Sequence, residues 1–268
     1  NDAVWDREGA AMTNIQIEPI PCLKDNYAYL IHAGDGGDAV VVDPSEAGPV
    51  AEALARRRLR LRGVLATHHH ADHVGGIEEL VAAGGAHPPW VAAHASDRGR
   101  VPGQTMFVDA PEERFVATDL QLGEARFWAM HIPAHTRGAI AWGLVLGAGR
   151  SGVGRERAPG DVFTGDTLFG AGCGRLFEGT PADMFRSLRA LTSGPDDTRL
   201  WFGHEYTASN LRFAVTVEPD NAATRARQQA VGPCTTPTTS GLERATNPFV
   251  RAATVDELAA RRAAKDKF

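Results

Sequence analysis

Residues 67–73 read Thr67-His68-His69-His70-Ala71-Asp72-His73, with four histidines and one aspartate inside the six positions 68–73. A helix would not aim such neighbours at one point, because residues one or two apart do not face each other there. On a tight loop leaving a strand, His68 and His70 can converge on one ion while Asp72 and His73 turn toward a second. Imidazole and carboxylate are donors that zinc, iron and manganese all accept. The bland alternative is a surface histidine run of the purification-tag kind. This run is internal, however: the apolar segment Arg62-Gly63-Val64-Leu65-Ala66-Thr67 leads into it, and Gly75-Gly76 opens a helical stretch at 77–83 after it.

Outward from this motif the chain has an α/β rhythm. Upstream, Ile15-Gln16-Ile17, Tyr27-Ala28-Tyr29-Leu30-Ile31 and Ala39-Val40-Val41-Val42-Asp43-Pro44 are strand-like, the last rich in β-branched residues and stopped by proline. The turn Gly34-Asp35-Gly36-Gly37-Asp38 predicts that these strands form a meander. Residues 47–58 predict an amphipathic helix whose Arg-rich end complements the helix dipole. Downstream, strands are expected around Val91, 127–130, 140–146 and 162–164. Residues 147–160, rich in Gly and Arg, predict an exposed hairpin loop. After residue 204 strand signals vanish and helices are expected at 208–217, 221–230 and 255–265. Thr254-Val255-Asp256-Glu257 predicts a capping box opening the last of these. The expected organisation is an N-terminal extension at 1–11, vector-derived or upstream of a start at Met12, then a catalytic domain at 12–204 and a helical domain at 205–268.

Composition narrows the function classes. With 268 residues, 43% hydrophobic and 23% charged, the chain suits a globular protein of one or two domains. Its net charge of -5 does not favour a nucleic-acid partner. No stretch approaches the roughly 20 apolar residues of a membrane span, and residues 1–11 lack the apolar core of a signal peptide. Three widely spaced cysteines, Cys22, Cys173 and Cys234, are expected to be reduced thiols rather than a disulfide framework. The expectation is a cytoplasmic monomer without membrane or nucleic-acid partners.

His-x-His-x-Asp-His after a strand resembles the signature of the metallo-β-lactamase superfamily, and the resemblance continues downstream. Pro133-Ala134-His135-Thr136 with Gly138, Thr164-Gly165-Asp166-Thr167-Leu168, and Gly203-His204-Glu205-Tyr206-Thr207 look like its later metal sites. The last string resembles the glyoxalase II branch, and the match covers essentially the whole chain from Met12. The resemblance implies an α/β fold, an αββα sandwich with a small C-terminal helical domain. It implies two divalent ions, zinc first and iron or manganese as alternatives. One would be held by His68, His70 and His135, the other by Asp72, His73 and His204, with Asp166 bridging. A hydroxide held between the ions would be the nucleophile, with Asp72 and Asp166 as the carboxylates of the catalytic centre.

The implied substrate is the thioester S-(2-hydroxyacyl)glutathione, chiefly S-D-lactoylglutathione, cleaved to D-lactate and glutathione in methylglyoxal detoxification. A thiol leaving group with a pKa of about 8.5 departs as thiolate without a dedicated acid. Cys173-Gly174-Arg175-Leu176-Phe177-Glu178-Gly179-Thr180 resembles the family's glutathione-contacting loop, with Arg175 and Phe177 at the contact positions. Tyr206 matches its substrate-contacting tyrosine, and Arg262 with Lys265 its carboxylate-gripping basic pair. At a spacing of three the last two share a helix face, although a solvated basic helix end would look the same. Cys173 is read as structural, and His69 as pointing away from the metals. The rivals are a lactonase, another thioesterase, a persulfide dioxygenase using one iron and oxygen, and a non-catalytic metal-binding scaffold. The dioxygenase would not need the Gly-His-Glu-Tyr string or the helical tail, a lactonase or β-lactamase would lack the glutathione-binding C-terminus, and the scaffold would have lost one or more ligands.

Overall fold

The computed structural model describes residues 15–146 and 158–268. The expected extension at 1–11 and most of the expected loop at 147–160 lie outside the described residues. The first half forms a six-stranded sheet in simple chain order: β1 (Gln16–Cys22), β2 (Asn26–His32), β3 (Asp38–Val42), β4 (Arg60–Leu65), β5 (Trp90–His94) and β6 (Met106–Val108). The meander β1-β2-β3 is antiparallel. From β3 onward the pairings are parallel, because each crossover now carries a helix or a long connection. Those helices are α1 (Ala47–Arg57) between β3 and β4, then α2 (Ala71–Val74) and α3 (Ile77–Ala83) between β4 and β5.

The second sheet holds β7 (Val116–Leu122), β8 (Ala125–His131), β9 (Ile140–Val145) and β10 (Asp161–Gly165). A small hairpin, β11 (Leu168–Phe169) and β12 (Gly172–Cys173), and helix α4 (Pro181–Leu191) lead to β13 (Arg199–Phe202), which pairs parallel to β10. Helices α5 (Thr207–Val217) and α6 (Ala222–Gln229), strand β14 (Thr238–Thr239), and helices α7 (Ser240–Thr246) and α8 (Val255–Lys265) complete the chain. Sheet order is β14-β13-β10-β9-β8-β7.

The layers are αββα. Between the sheets, Tyr29, Ile31, Val40 and Leu65 meet Phe127, Trp142, Leu144 and Phe163. On the outer face of the first sheet, Leu30, Val41 and Val64 pack on Val50, Ile77 and Leu80 of α1 and α3. On the outer face of the second, Met130, Val162 and Leu200 pack on Met184, Leu188, Phe213 and Leu258 of the later helices. Central strands buried on both faces read as continuous apolar runs rather than alternating ones, which is why Ala39 to Val42 carries no period of two.

Beyond strands β6, β7 and β13, the β11–β12 hairpin and helix α4, which the sequence patterns did not single out, three features differ from the sequence expectations. A strand does exist after residue 204: β14 adds antiparallel to β13 and extends the second sheet. Two residues are too short for any periodic signal. Helix α7 follows it, pinned by the fully buried Glu243, which accepts from Ala171 N (2.9 Å), Thr238 Oγ1 (2.6 Å) and Asn247 Nδ2 (2.8 Å) and pairs with Arg227 (2.8 Å). The box expected at α8 is half formed. Thr254 accepts from Glu257 N, but the Glu257 carboxylate takes the N–H of Ala253, one residue before the cap. A full capping box stands instead at α4, between Thr180 and Asp183 with Pro181 at the first helical position.

Candidate metal centre

The histidine motif leaves the end of β4 where the two sheets meet. Ile140 N donates to Thr67 O (2.8 Å) and Trp142 Nε1 to Ala66 O (3.0 Å), so β9 holds the start of the motif from across the core. Only its first part is a loop. Asp72 and His73 lie on α2, a single helical turn, whereas His68 and His70 precede it. That turn lets adjacent residues of the motif diverge, so that the first pair and the second pair address different points.

Three donor groups have their ligand atoms within 4.8 Å of one another: His68, His70 and His135; Asp72, His73 and His204; and Asp43, His68 and His73, which shares a histidine with each of the other two and whose carboxylate is taken up by Thr67 and His73 Nδ1. Asp166 lies between the first two. Its Oδ2 is 3.5 Å from His135 Nε2 and 3.3 Å from His204 Nε2, and its Oδ1 is 3.2 Å from His73 Nε2. Asp166 gets there because it follows β10 while His204 follows the parallel neighbour β13, joined by Gly203 N donating to Gly165 O (3.0 Å). Gly203 is required at this approach: a Cβ there would lie 2.4 Å from Asp166 Oδ1 and 2.6 Å from His73 Cε1. Gly165 is required as well, with φ +51° and Thr67 Oγ1 2.3 Å from where its Cβ would be.

Most of the imidazoles are aimed from behind. His73 Nδ1 is 2.9 Å from Asp43 Oδ2, His204 Nδ1 is 2.9 Å from Asp25 Oδ1, and His135 Nδ1 donates to Arg175 O at 2.9 Å. A far nitrogen held on an oxygen fixes the ring so that the near nitrogen points at the centre. Asp43 also accepts from Thr67 N (2.7 Å) and Thr67 Oγ1 (2.6 Å), so it braces the loop as well as the ligand. Asn26 donates to Asp72 O (2.9 Å) and reaches Asp72 Oδ2 (3.3 Å). Neither Asp25, Asn26 nor Asp43 was singled out as functional from the sequence. For Asp43 a signal existed: a carboxylate ending a fully buried strand is costly unless something pairs with it.

The donor set fits two cations. His68 Nε2 is buried with no hydrogen-bond partner among the described residues. His135 Nε2 and His70 Nδ1 face each other at 3.0 Å. Burial first, then neighbouring imidazoles, holds His68 well below the usual histidine range and His70 at about 4, which keeps both available as neutral ligands. Burial likewise lowers His135. For Asp166 burial acts the other way, but the charge of His73 and the hydrogen bond from His204 outweigh it and keep the carboxylate ionised. His204 moves up to about 10: burial opposes this, and hydrogen bonds to Asp166 and Asp72 prevail. Buried carboxylates that draw positive charge onto neighbouring imidazoles, beside neutral imidazoles with free lone pairs, are the chemistry of a dinuclear metal site.

A cavity of about 600 Å³ opens over this centre and gathers the other residues named from the sequence. Phe177, 61% exposed, stands edge-on to His70 and His135 with ring centroids at 5.5 and 5.2 Å. Tyr206 stacks parallel on His204 at 4.8 Å. Arg175 is exposed at the mouth, whereas Arg262 is buried in the wall and Lys265 partly buried beside it. His69 turns away from the donor groups, its Nε2 2.6 Å from the Arg100 guanidinium and its Nδ1 3.6 Å from buried Asp97. His131 stacks on His94 at 4.1 Å and touches none of them. Cys173 is buried, burial pushes its thiol up to about 11, and it belongs to none of the donor groups.

An αββα sandwich with seven imidazole and carboxylate donors at the edge between its sheets defines the metallo-β-lactamase superfamily, whose family model matches residues 24–204. The model of the hydroxyacylglutathione hydrolase C-terminus matches residues 205–268. A hydroxyacylglutathione hydrolase of a Synechococcus species is 44% identical over 243 residues, covering 88% of this chain and 89% of the relative. That of Methylococcus capsulatus is 44% identical over 243 residues, covering 88% and 87%. The chain belongs to the hydroxyacylglutathione hydrolase family. Among solved structures, ETHE1 from Myxococcus xanthus shares the fold at a TM-score of 0.63 and 24% identity, covering 93% of this chain and 89% of that one. TTHA1623 in a di-iron-bound form is similar at 0.54 and 27%, covering 87% and 99%.

Proposed function

We propose that the protein hydrolyses S-(2-hydroxyacyl)glutathione, chiefly S-D-lactoylglutathione, to a 2-hydroxy acid and glutathione. The observation that carries this reading is one cavity with the dinuclear donor set as its floor and Arg175, Arg262 and Lys265 as its basic wall. A thioester with a carboxylate remote from its carbonyl needs both. In this reading residues 12–204 supply the hydrolytic unit and 205–268 the glutathione-binding unit, in a cytoplasmic monomer.

His68, His70 and His135 would hold one ion, Asp72, His73 and His204 the other, and Asp166 both. When bound, two divalent ions supply Lewis acidity and lower the pKa of water from 15.7 to about 7, so that a nucleophile exists at neutral pH. The chain's own part is positional. Asp43, Asp25 and the Arg175 carbonyl keep the imidazole lone pairs on target. Phe177 and Tyr206 flank the acyl–sulfur junction over His70 and His204. Arg262 and Lys265 grip the glycine carboxylate, and the thiolate leaves without a protein acid. Zinc is the first candidate metal on its preference for imidazole and carboxylate, with iron and manganese accepting the same donors. The di-iron form of TTHA1623 supports iron as the second.

The test is steady-state hydrolysis of S-D-lactoylglutathione by the purified protein before and after chelation, with metal analysis alongside. Turnover that chelation abolishes and divalent metal restores is expected. No turnover with two ions bound per chain would sink the substrate and point to lactones and other thioesters on the same centre.

A further inference from the structure

The Arg262 guanidinium in the cavity wall is already engaged. Its Nη1 donates to Cys173 O at 2.8 Å and its Nη2 to Asp266 Oδ1 at 2.9 Å. Its Nε is buried without a partner among the described residues. The same Asp266 oxygen is 3.6 Å from Arg175 Nε, so one carboxylate stands between the two guanidiniums of the cavity. Lys265 has no carboxylate partner among the described residues; its Nζ reaches Ser209 O (3.5 Å) and Oγ (3.4 Å).

Helix stability does not account for Asp266. It is the C-cap of α8, where the negative end of the helix dipole disfavours an anion. Its pair with Arg175 is exposed, with side-chain exposures of 43% for Asp266 and 66% for Arg175, and contributes little, while its i to i+4 pair with Arg262 joins a 10% exposed guanidinium to a partly exposed carboxylate. A carboxylate binds a guanidinium most strongly through two parallel N–H bonds. On the Nε–Nη2 edge of Arg262 one donor is unmet and the other is on Asp266, so Asp266 holds half of the fork that a bidentate ligand would use.

We propose that Asp266 is a built-in counter-ion that a ligand's carboxylate must displace from Arg262 and Arg175, so that it sets how tightly the cavity takes anionic thioesters. The proposal rests on the cavity being a glutathione-thioester site. With Asp266 in place, a ligand carboxylate exchanges one anion for another instead of meeting bare cations. Tight retention of any passing anion, including the released glutathione, is thereby avoided.

The test is steady-state hydrolysis by the metal-loaded protein of S-D-lactoylglutathione, and of the same thioester with its glycine carboxylate blocked as an ethyl ester. Wild type, Asp266→Asn and Asp266→Glu are compared. Removing the competing charge is expected to lower KM for the free acid roughly fivefold, the scale of one partly screened like-charge contact. The inhibition constant of added glutathione falls by the same factor, KM for the ester stays put, and Asp266→Glu behaves as wild type. The melting temperature of Asp266→Asn is expected at or above wild type. An unchanged or raised KM for the acid overturns the proposal, and so does a lowered melting temperature, which makes Asp266 a support for α8 and Arg262. Absence of wild-type turnover overturns the substrate reading and the proposal with it, whereas wild-type turnover with an unmoved KM overturns the proposal alone.

Discussion

The floor and the wall of the cavity are built by opposite means. At and beneath the floor, His68, His73, His135, Asp166 and His204 are buried while His70 and Asp72 are partly exposed, and His73, His135 and His204 each have the far nitrogen on a protein oxygen. On the wall, Arg175 and Phe177 are exposed, Arg262 is buried, and the two guanidiniums share one partly exposed carboxylate. Buried polar groups are strongly coupled and costly to leave unpaired, whereas exposed charges are screened and exchange partners readily. The floor is thus organised by its own hydrogen bonds, whereas on the wall Arg175 and Phe177 are free to adjust. Under the proposed function the expected consequence is a division of labour: floor substitutions act on metal content and kcat, wall substitutions on KM.

The largest effect expected is from Asp166→Ala, which removes a donor from both groups. Turnover of S-D-lactoylglutathione should fall by at least about a thousandfold, the upper range for losing one preorganised electrostatic group, with metal content falling too. Full metal and retained activity would break the assignment of Asp166 to the shared position. Asp43→Asn comes next, since it weakens the brace on His73 and Thr67 while leaving every donor in place. A loss of roughly 10- to 100-fold in metal affinity or activity is expected, measured by metal titration and kcat together. An unaffected metal affinity would mean that the floor does not depend on its backing. Smaller still is Arg262→Ala with Lys265→Ala, expected to raise KM by about tenfold or more through lost charge-assisted hydrogen bonds while kcat stays within a few-fold. A fall in kcat with KM unmoved would erase the contrast between floor and wall.

How legible each region was follows from the same contrast. The motif at 68–73 could be read because five donor-type residues in six positions have no ordinary structural use. Single residues such as His135, Asp166 and His204 are unremarkable by themselves and took on meaning only through strings resembling a known family. The braces Asp25, Asn26 and Asp43 were missed because each looks like a turn or strand-end residue. Their role comes from partners far along the chain, as when Asp25 meets His204 across 179 positions. The wall was legible as residue types but not as contacts. The i to i+3 spacing of Arg262 and Lys265 gives a shared face, and the i to i+4 spacing of Arg262 and Asp266 allows a pair on the helix, yet nothing local brings Arg175 to the same carboxylate.

The sequence by itself determined the kind of chemistry, the alternation of strands and helices in the first half, and the helical character of the tail. Each of these is written in short-range patterns: donor density, apolar runs, capping and turn residues. Tertiary structure alone decided which donors form each group, that Asp166 lies between them, that Thr238–Thr239 becomes a sheet edge, and that Arg175 meets the aspartate that pairs with Arg262. Those outcomes depend on strand register and on parallel neighbours such as β10 and β13. Register is set by packing of the whole core rather than by any local stretch of chain.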